Sequence, residues 1–197
     1  MGDREQWISL LESAGAIQSG HFLLSSGRHS GRYVQCALAL EHPDNAALLG
    51  QGIADTIQTP VDRVLAPPLG GLIIGYEVAR HLDVPFAFPE RDRVGKLVLG
   101  RGFELHPNER ICLVEDVITT GRTTRELLEV IHRLGALPVA IGAIVDRSET
   151  HRLDGLPIHS LLQLEIPTFA PEACPLCQTG IPLLQPGSRK MKAQGGI

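Results

Sequence analysis

The sequence predicts an α/β protein, a mostly parallel twisted sheet flanked by helices. Strand-length apolar runs alternate with segments of helical periodicity through the middle of the chain. The unusual chemistry gathers in the connections that follow the apolar runs, where ligands sit on such a sheet. Aromatic residues make up 4% of the chain, so the core must be built from Leu, Ile, Val and Ala, and 21 Gly with 14 Pro imply many turns. A chain of 197 residues suits one domain, with room for a small appended substructure.

Taken in order, Trp7, Ile8, Leu10 and Leu11 recur at helical spacing, so a short amphipathic helix is expected from about Arg4 to Ala14. The polar stretch His21–Tyr33 reads as a strand and turn, with a second strand near Tyr33–Ala37. A helix is expected over Asp44–Thr56, with Asp44 as its cap. Val61–Ala66 is a strand that ends in Pro67-Pro68-Leu69-Gly70-Gly71. A helix over Leu72–His81 and a strand over Val84–Phe88 come next. Arg110–Val114 is a strand ending at Glu115-Asp116, followed by a polar loop and a helix over Thr123–Leu134. Pro138–Val145 is a further strand ending at Asp146-Arg147. Helical crossovers of this length imply parallel, right-handed connections, with helices on both faces of the sheet.

The balance of 18 Lys and Arg against 22 Asp and Glu gives a net charge of −4, which lacks the basic footprint of a nucleic-acid binder. No apolar run is long enough to cross a membrane, and the N-terminus is polar, without the apolar core of a signal peptide. Four cysteines, two of them isolated at Cys36 and Cys112, do not make a disulfide framework, so a reducing cytoplasm is the expected location.

The run Ile111-Cys112-Leu113-Val114-Glu115-Asp116-Val117-Ile118-Thr119-Thr120-Gly121-Arg122-Thr123-Thr124 carries the chemistry. A buried strand ends in two carboxylates, which can accept hydrogen bonds from ribose hydroxyls. The hydroxyl- and glycine-rich loop then opens a helix, whose N-terminal N–H groups suit a phosphate. This run resembles the 5-phosphoribosyl-1-pyrophosphate (PRPP) signature of the phosphoribosyltransferases. The resemblance implies the type I fold of that family with a small N-terminal hood. It also implies that Glu115 and Asp116 hold the ribose 2′- and 3′-hydroxyls, that Thr119, Thr120, Gly121, Arg122 and Thr123 hold the 5-phosphate, and that Val117 and Ile118 belong to the same PRPP site. The loop Pro68-Leu69-Gly70-Gly71 matches the family's pyrophosphate loop, with glycines that let backbone approach an anion.

Two features resemble the orotate phosphoribosyltransferases. One is Phe22-Leu23-Leu24-Ser25-Ser26-Gly27-Arg28-His29-Ser30 followed by Tyr33, the family's hood motif, which places Ser26, Gly27 and Arg28 by the base. The other is Arg147, whose guanidinium suits the planar carboxylate that orotate has and purines and uracil lack. Thr119 is the remaining expected orotate contact. The family's mobile cationic loop, which serves the neighbouring subunit, matches Glu90–Lys96, so Lys96 and Arg91 are the candidates for the leaving pyrophosphate, with Arg93 beside them. The stretch Pro68-Leu69-Gly70-Gly71 has no lysine where the family usually carries one, and Ser25 stands where the Lys-Ser-Gly-Arg motif begins.

The resemblance thus implies an Mg²⁺-dependent homodimer that transfers phosphoribose from PRPP to orotate in pyrimidine biosynthesis, with Mg²⁺ held through PRPP and Asp116. The rival readings are a purine-salvage enzyme and a non-catalytic PRPP-sensing regulator. Residues 1–187 are expected to form one domain, with hood elements at about 1–40 and 160–187, a core at about 41–159, and a flexible tail at 188–197. Cys174-Pro175-Leu176-Cys177 supplies two potential zinc ligands. His151 and His159 or a second subunit could complete such a site; a redox pair and two ordinary thiols are the alternatives.

Overall fold

The computed structural model describes residues 4–24 and 26–186; Ser25 of the hood motif and the expected tail at 188–197 lie outside the described residues. The chain runs α1 (Arg4–Ser13), β1 (Ile17–Leu23), β2 (His29–Val34), α2 (Ala37–Leu40), α3 (Pro43–Thr56), β3 (Arg63–Leu65), α4 (Gly71–Leu82) and β4 (Phe86–Ala87). It continues through β5 (Pro89–Arg91), β6 (Leu97–Leu99), β7 (Arg110–Ile118), α5 (Arg122–Arg133), β8 (Leu137–Asp146), β9 (Arg152–Leu153) and β10 (Leu156–Gln163). β11 (Thr168–Phe169), a 3₁₀ turn at Pro171–Ala173 and α6 (Pro175–Gln178) complete it.

Six strands form the central sheet in the order β4-β3-β7-β8-β10-β9. The first five are parallel, and β9 pairs antiparallel with β10. Both faces are covered, as parallel sheets require. On β7, Cys112 and Val114 face a core that contains Leu49 and Ile53 of α3 and Ile74 and Val78 of α4. Ile111 and Leu113 face the other core, with Leu127 and Ile131 of α5 and Ile141 of β8. Removing each such Leu or Ile from water contributes about 2 kcal/mol, so the long buried β7 anchors both layers.

Three local readings change. β2 begins at His29, earlier than expected, and residues 37–40 turn into α2 instead of extending the strand. α3 is capped at His42 with Pro43 in its first turn, which places Asp44 inside the helix; proline's fixed φ and missing N–H suit that first position. β10 joins the central sheet although its sequence gave no strand signal.

A separate sheet, β1-β2-β11, draws on both ends of the chain. Strand order reverses between β3 and β7: the chain passes from β3 outward to β4 and returns to β7 on the other side. The loops after β3 and β7 therefore flank the switch point, where an open α/β sheet leaves a crevice.

Candidate active site

β7 runs past its four apolar residues to Ile118, so Glu115 and Asp116 belong to the strand and not to a turn. Neighbouring residues of a strand point to opposite faces, and the two carboxylates diverge where the sequence suggested they lie side by side. Glu115 is buried against α5, where the Thr124 hydroxyl donates to its Oε1. Asp116 faces the loop after β3: a methyl group on Gly70 would come within 2.7 Å of its Oδ2. The two expected PRPP loops therefore meet at Asp116, and the absence of a side chain at Gly70 is what permits it. The Pro68–Leu69 peptide of this loop is cis.

Burial raises the pKa of both carboxylates. Desolvation pushes Glu115 from 4.5 to about 7, opposed by the Thr124 hydrogen bond and assisted by the charges of Asp116 and Glu126. Asp116 is raised by burial and restrained by backbone N–H groups, its own and that of Val117. Burial, and after it the Asp116 charge, raises the Tyr33 phenol and pushes the Cys36 thiol well above its ordinary value. Cys36 Sγ also lies 3.8 Å from the Asp116 carbonyl.

The Glu115 shift sets a pH-dependent stability. Folded Glu115 holds its proton up to about pH 7 while the unfolded chain releases it near 4.5. Stability from this group is thus fully present below 4.5 and lost as pH rises through 7. The full span corresponds to about 3 kcal/mol. Glu115→Gln, which keeps shape but cannot ionise, should gain thermal stability relative to the parent between pH 5 and pH 8.5. Thermal melts across that range check it, and a constant difference would contradict the assignment.

Residues 117–124 together with Glu115 line a cavity of about 60 Å³. Gly121 caps α5 with φ 69°, a left-handed conformation that favours glycine. α5 carries no acid in its first turn, so its N-terminus presents an uncompensated positive end to this cavity. Arg125 Nη1 donates to the Thr120 carbonyl at 2.8 Å and fastens the loop from the helix side.

Arg147 follows β8 directly, and its backbone N–H donates to the Ile118 carbonyl at 2.8 Å, which sets it beside the loop that joins β7 to α5. Its side chain is half-buried, its Nε is buried without a hydrogen-bond partner, and desolvation lowers its pKa. Asp146, by contrast, is fully buried and structural. It accepts from the Ser148 backbone N–H at 2.8 Å and contacts His151 Nδ1 at 2.6 Å.

The other expected residues are placed elsewhere. Arg91 lies on the β5–β6 hairpin and pairs with Glu126 of α5 at 2.8 Å, while its Nη1 donates to the Gly95 carbonyl at 2.6 Å. Glu126 also receives Arg122 Nε at 3.3 Å, so one carboxylate links the hairpin to the N-terminal turn of α5. These two arginines, Arg91 foremost, hold the Glu126 carboxyl below its ordinary pKa. Lys96 is exposed and borders a cavity of about 240 Å³ between the hairpin and α5, together with Glu126 and Arg133. Arg28 is engaged at the β1-β2-β11 sheet: its Nε and Nη2 donate to the Thr168 hydroxyl and carbonyl, each at 2.8 Å. Gly27 has φ 78° in the same turn, and Ser26 is exposed. Arg125 and Glu126 were not among the expected site residues, and Thr124, the last residue of the acidic run, was given no role of its own. The Arg122/Glu126 spacing of an i,i+4 helix pair was the available signal.

Residues 40–169 match the model of the phosphoribosyl transferase domain family. The chain is 45% identical over 184 residues to an orotate phosphoribosyltransferase of Thermotoga maritima, covering 93% of this chain and 98% of that one. It is 44% identical over 189 residues to the enzyme of that name from Pelotomaculum thermopropionicum, covering 95% and 99%. Among solved structures it resembles orotate phosphoribosyltransferase from Aeropyrum pernix, with a TM-score of 0.63 at 26% identity over 80% of this chain and 93% of that one. Leishmania donovani UMP synthase shares the fold, with a TM-score of 0.70 at 22% identity over 83% of this chain and 37% of that one. With a family model covering most of its length and such relatives matched nearly end to end, the chain belongs to the phosphoribosyltransferase family, among the orotate phosphoribosyltransferases.

Proposed function

We infer that this protein transfers 5-phosphoribose from PRPP to orotate, giving orotidine 5′-phosphate and pyrophosphate in pyrimidine biosynthesis. The orotate N1–C1′ bond forms, the C1′–O bond to pyrophosphate breaks with inversion, and the N1 proton leaves to solvent. The transition state resembles an oxocarbenium ion, so the protein's part is positioning and charge stabilisation.

The observation that carries the choice of base is Arg147. A half-buried guanidinium with an unsatisfied Nε beside the phosphate loop is costly until an anion meets it. The orotate carboxylate supplies that anion. In this reading Thr119–Thr123 hold the 5-phosphate, the loop 68–71 faces the pyrophosphate, and Asp116 with Glu115 takes the ribose hydroxyls. Lys96 and Arg91 serve the leaving group after the Arg91–Glu126 pair opens. Segments 1–40 and 160–187 form the hood, which brings Ser26, Gly27 and Arg28 to the base, and 41–159 carries PRPP.

The donor set suits Mg²⁺, a hard cation that takes oxygen ligands and keeps few from protein: among the described residues the Asp116 carboxylate has no side-chain partner. When bound with PRPP, Mg²⁺ would neutralise negative charge on the leaving pyrophosphate. All four cysteines are free thiols, which supports a reducing, cytoplasmic setting. No helix among the described residues is long and apolar enough to cross a membrane.

The homodimer is part of the same proposal. Ile73 and Tyr76 are 49% and 57% exposed on the first turns of α4, and Leu69, in the loop just before that helix, is 82% exposed. Such a patch marks a contact surface, here for a second copy of this chain. Ile73→Glu should shift the protein from dimer to monomer in light scattering at micromolar concentration; a monomeric parent would contradict the patch's role.

The test is pyrophosphate release from PRPP and Mg²⁺ with orotate, uracil, xanthine, hypoxanthine, guanine and adenine offered separately. Release with orotate alone is expected. Release with a purine alone would make this a salvage enzyme, and PRPP binding without turnover would make it a regulator.

A further inference from the structure

Four side chains that the transfer reaction does not use meet in the hood. His21 lies on β1, His29 opens β2, and Cys174 and Cys177 stand at the start and third position of α6. Their ligand atoms all lie within 4.8 Å of one another. His21 Nε2 is 3.0 Å from His29 Nδ1, 3.5 Å from Cys174 Sγ and 3.7 Å from Cys177 Sγ, and Cys177 Sγ is 3.3 Å from His29 Nδ1. Tetrahedral Zn²⁺, with Zn–S near 2.3 Å and Zn–N near 2.0–2.1 Å, separates its ligands by about 3.4 Å (N to N) and about 3.6 Å (N to S). The four contacts fall within a few tenths of an ångström of those edges.

The protonation pattern agrees. His21 Nδ1 lies 2.8 Å from the Ile181 carbonyl oxygen, which can only accept. Nδ1 therefore carries the proton, and Nε2 turns its lone pair to the other three residues, the arrangement of a metal-bound imidazole held by a backbone carbonyl. His21, His29 and Cys174 are buried, and both cysteines are free thiols, not a disulfide. His151 and His159, the expected partners of Cys174 and Cys177, take no part: His151 is bound to Asp146, and the cluster holds neither.

We propose that His21, His29, Cys174 and Cys177 hold one structural Zn²⁺. Two thiolates neutralise the ion, two neutral imidazoles complete the shell, and no position remains for water or substrate. The ion ties the β1–β2 hairpin to the C-terminal segment, which is also strapped to β1 by hydrogen bonds from Leu23 N–H to the Leu184 carbonyl (2.8 Å) and from Leu184 N–H to the His21 carbonyl (2.7 Å). The two histidines bracket the turn that carries Ser26, Gly27 and Arg28, so the metal fixes the part of the hood assigned to the base.

The test is metal analysis of the untagged, full-length protein after dialysis, with thiol titration and intact-mass measurement in parallel. One zinc per chain is expected, and protein produced with cobalt should show the ligand-field bands of a tetrahedral site with thiolate charge transfer. Cys177→Ser, a substitution at an exposed residue, should lose the zinc, while His159→Gln should keep it. A folded parent without metal, a Cys174–Cys177 disulfide, or zinc retained undiminished in Cys177→Ser would overturn the proposal. The parent's zinc content and cobalt spectrum decide the matter even where the variant does not fold. None of these readouts depends on orotate turnover, so they stand apart from the proposed activity.

Discussion

Asp116→Asn is expected to lower kcat by roughly 10²–10³, the scale of removing one preorganised charge-stabilising group, with little change in thermal stability. Asp116 stands where the two PRPP loops meet, against Gly70 on one side and Cys36 on the other. Its ionised form is already disfavoured by burial, so the neutral amide removes a desolvation penalty from the folded state. Asparagine has the same shape, and the Val117 N–H can still donate to its oxygen. What disappears is the negative charge that, in the proposed function, faces the ribose hydroxyls and the positive charge growing at C1′. Steady-state kinetics paired with thermal melts separate the two effects. Full activity in this variant would remove Asp116 from the site, and a large stability loss would make it structural.

Arg147→Ala is expected to reduce kcat/KM for orotate by roughly 10³, in the range for truncating one partner of a desolvated charge pair, while PRPP affinity stays nearly constant. The guanidinium has no protein partner at Nε, so its deletion leaves no orphaned carboxylate behind. The folded protein should tolerate the change and gain stability if anything, because a buried charge is removed. Arg147→Lys should not restore orotate use, since an ammonium cannot grip a planar carboxylate through two parallel hydrogen bonds. Kinetics with each substrate varied in turn check the separation. An equal loss of PRPP binding would place Arg147 on the phosphate side of the crevice.

The strand–loop–helix around Glu115-Asp116 was legible because four apolar residues, two acids and a Thr/Gly loop leave few alternatives. Its continuation to Ile118 was not, because adjacent carboxylates read as a strand end; pairing with β8 out to Ile118 and Asp146 overrides that local signal. β10 was hidden for a similar reason, since Pro157, His159 and Ser160 interrupt its apolar pattern while its parallel pairing to β8 holds it in the sheet. The loop 68–71 was matched through its glycines and its order before the acidic run, and the structure adds that a side chain at Gly70 would collide with Asp116. The four hood ligands show the limit most sharply. Cys174-Pro175-Leu176-Cys177 announces half of a site, but His21 and His29 lie about 150 positions earlier in the chain, and only the folded hairpin and the returning C-terminal segment bring them together.

The most direct measurement of the central claim follows orotate, orotidine 5′-phosphate and pyrophosphate together in one reaction with PRPP and Mg²⁺. Orotate-dependent turnover is expected, with one nucleotide and one pyrophosphate formed for each orotate consumed, and loss of turnover when Mg²⁺ is chelated. A folded protein that binds PRPP yet forms no orotidine 5′-phosphate would contradict it.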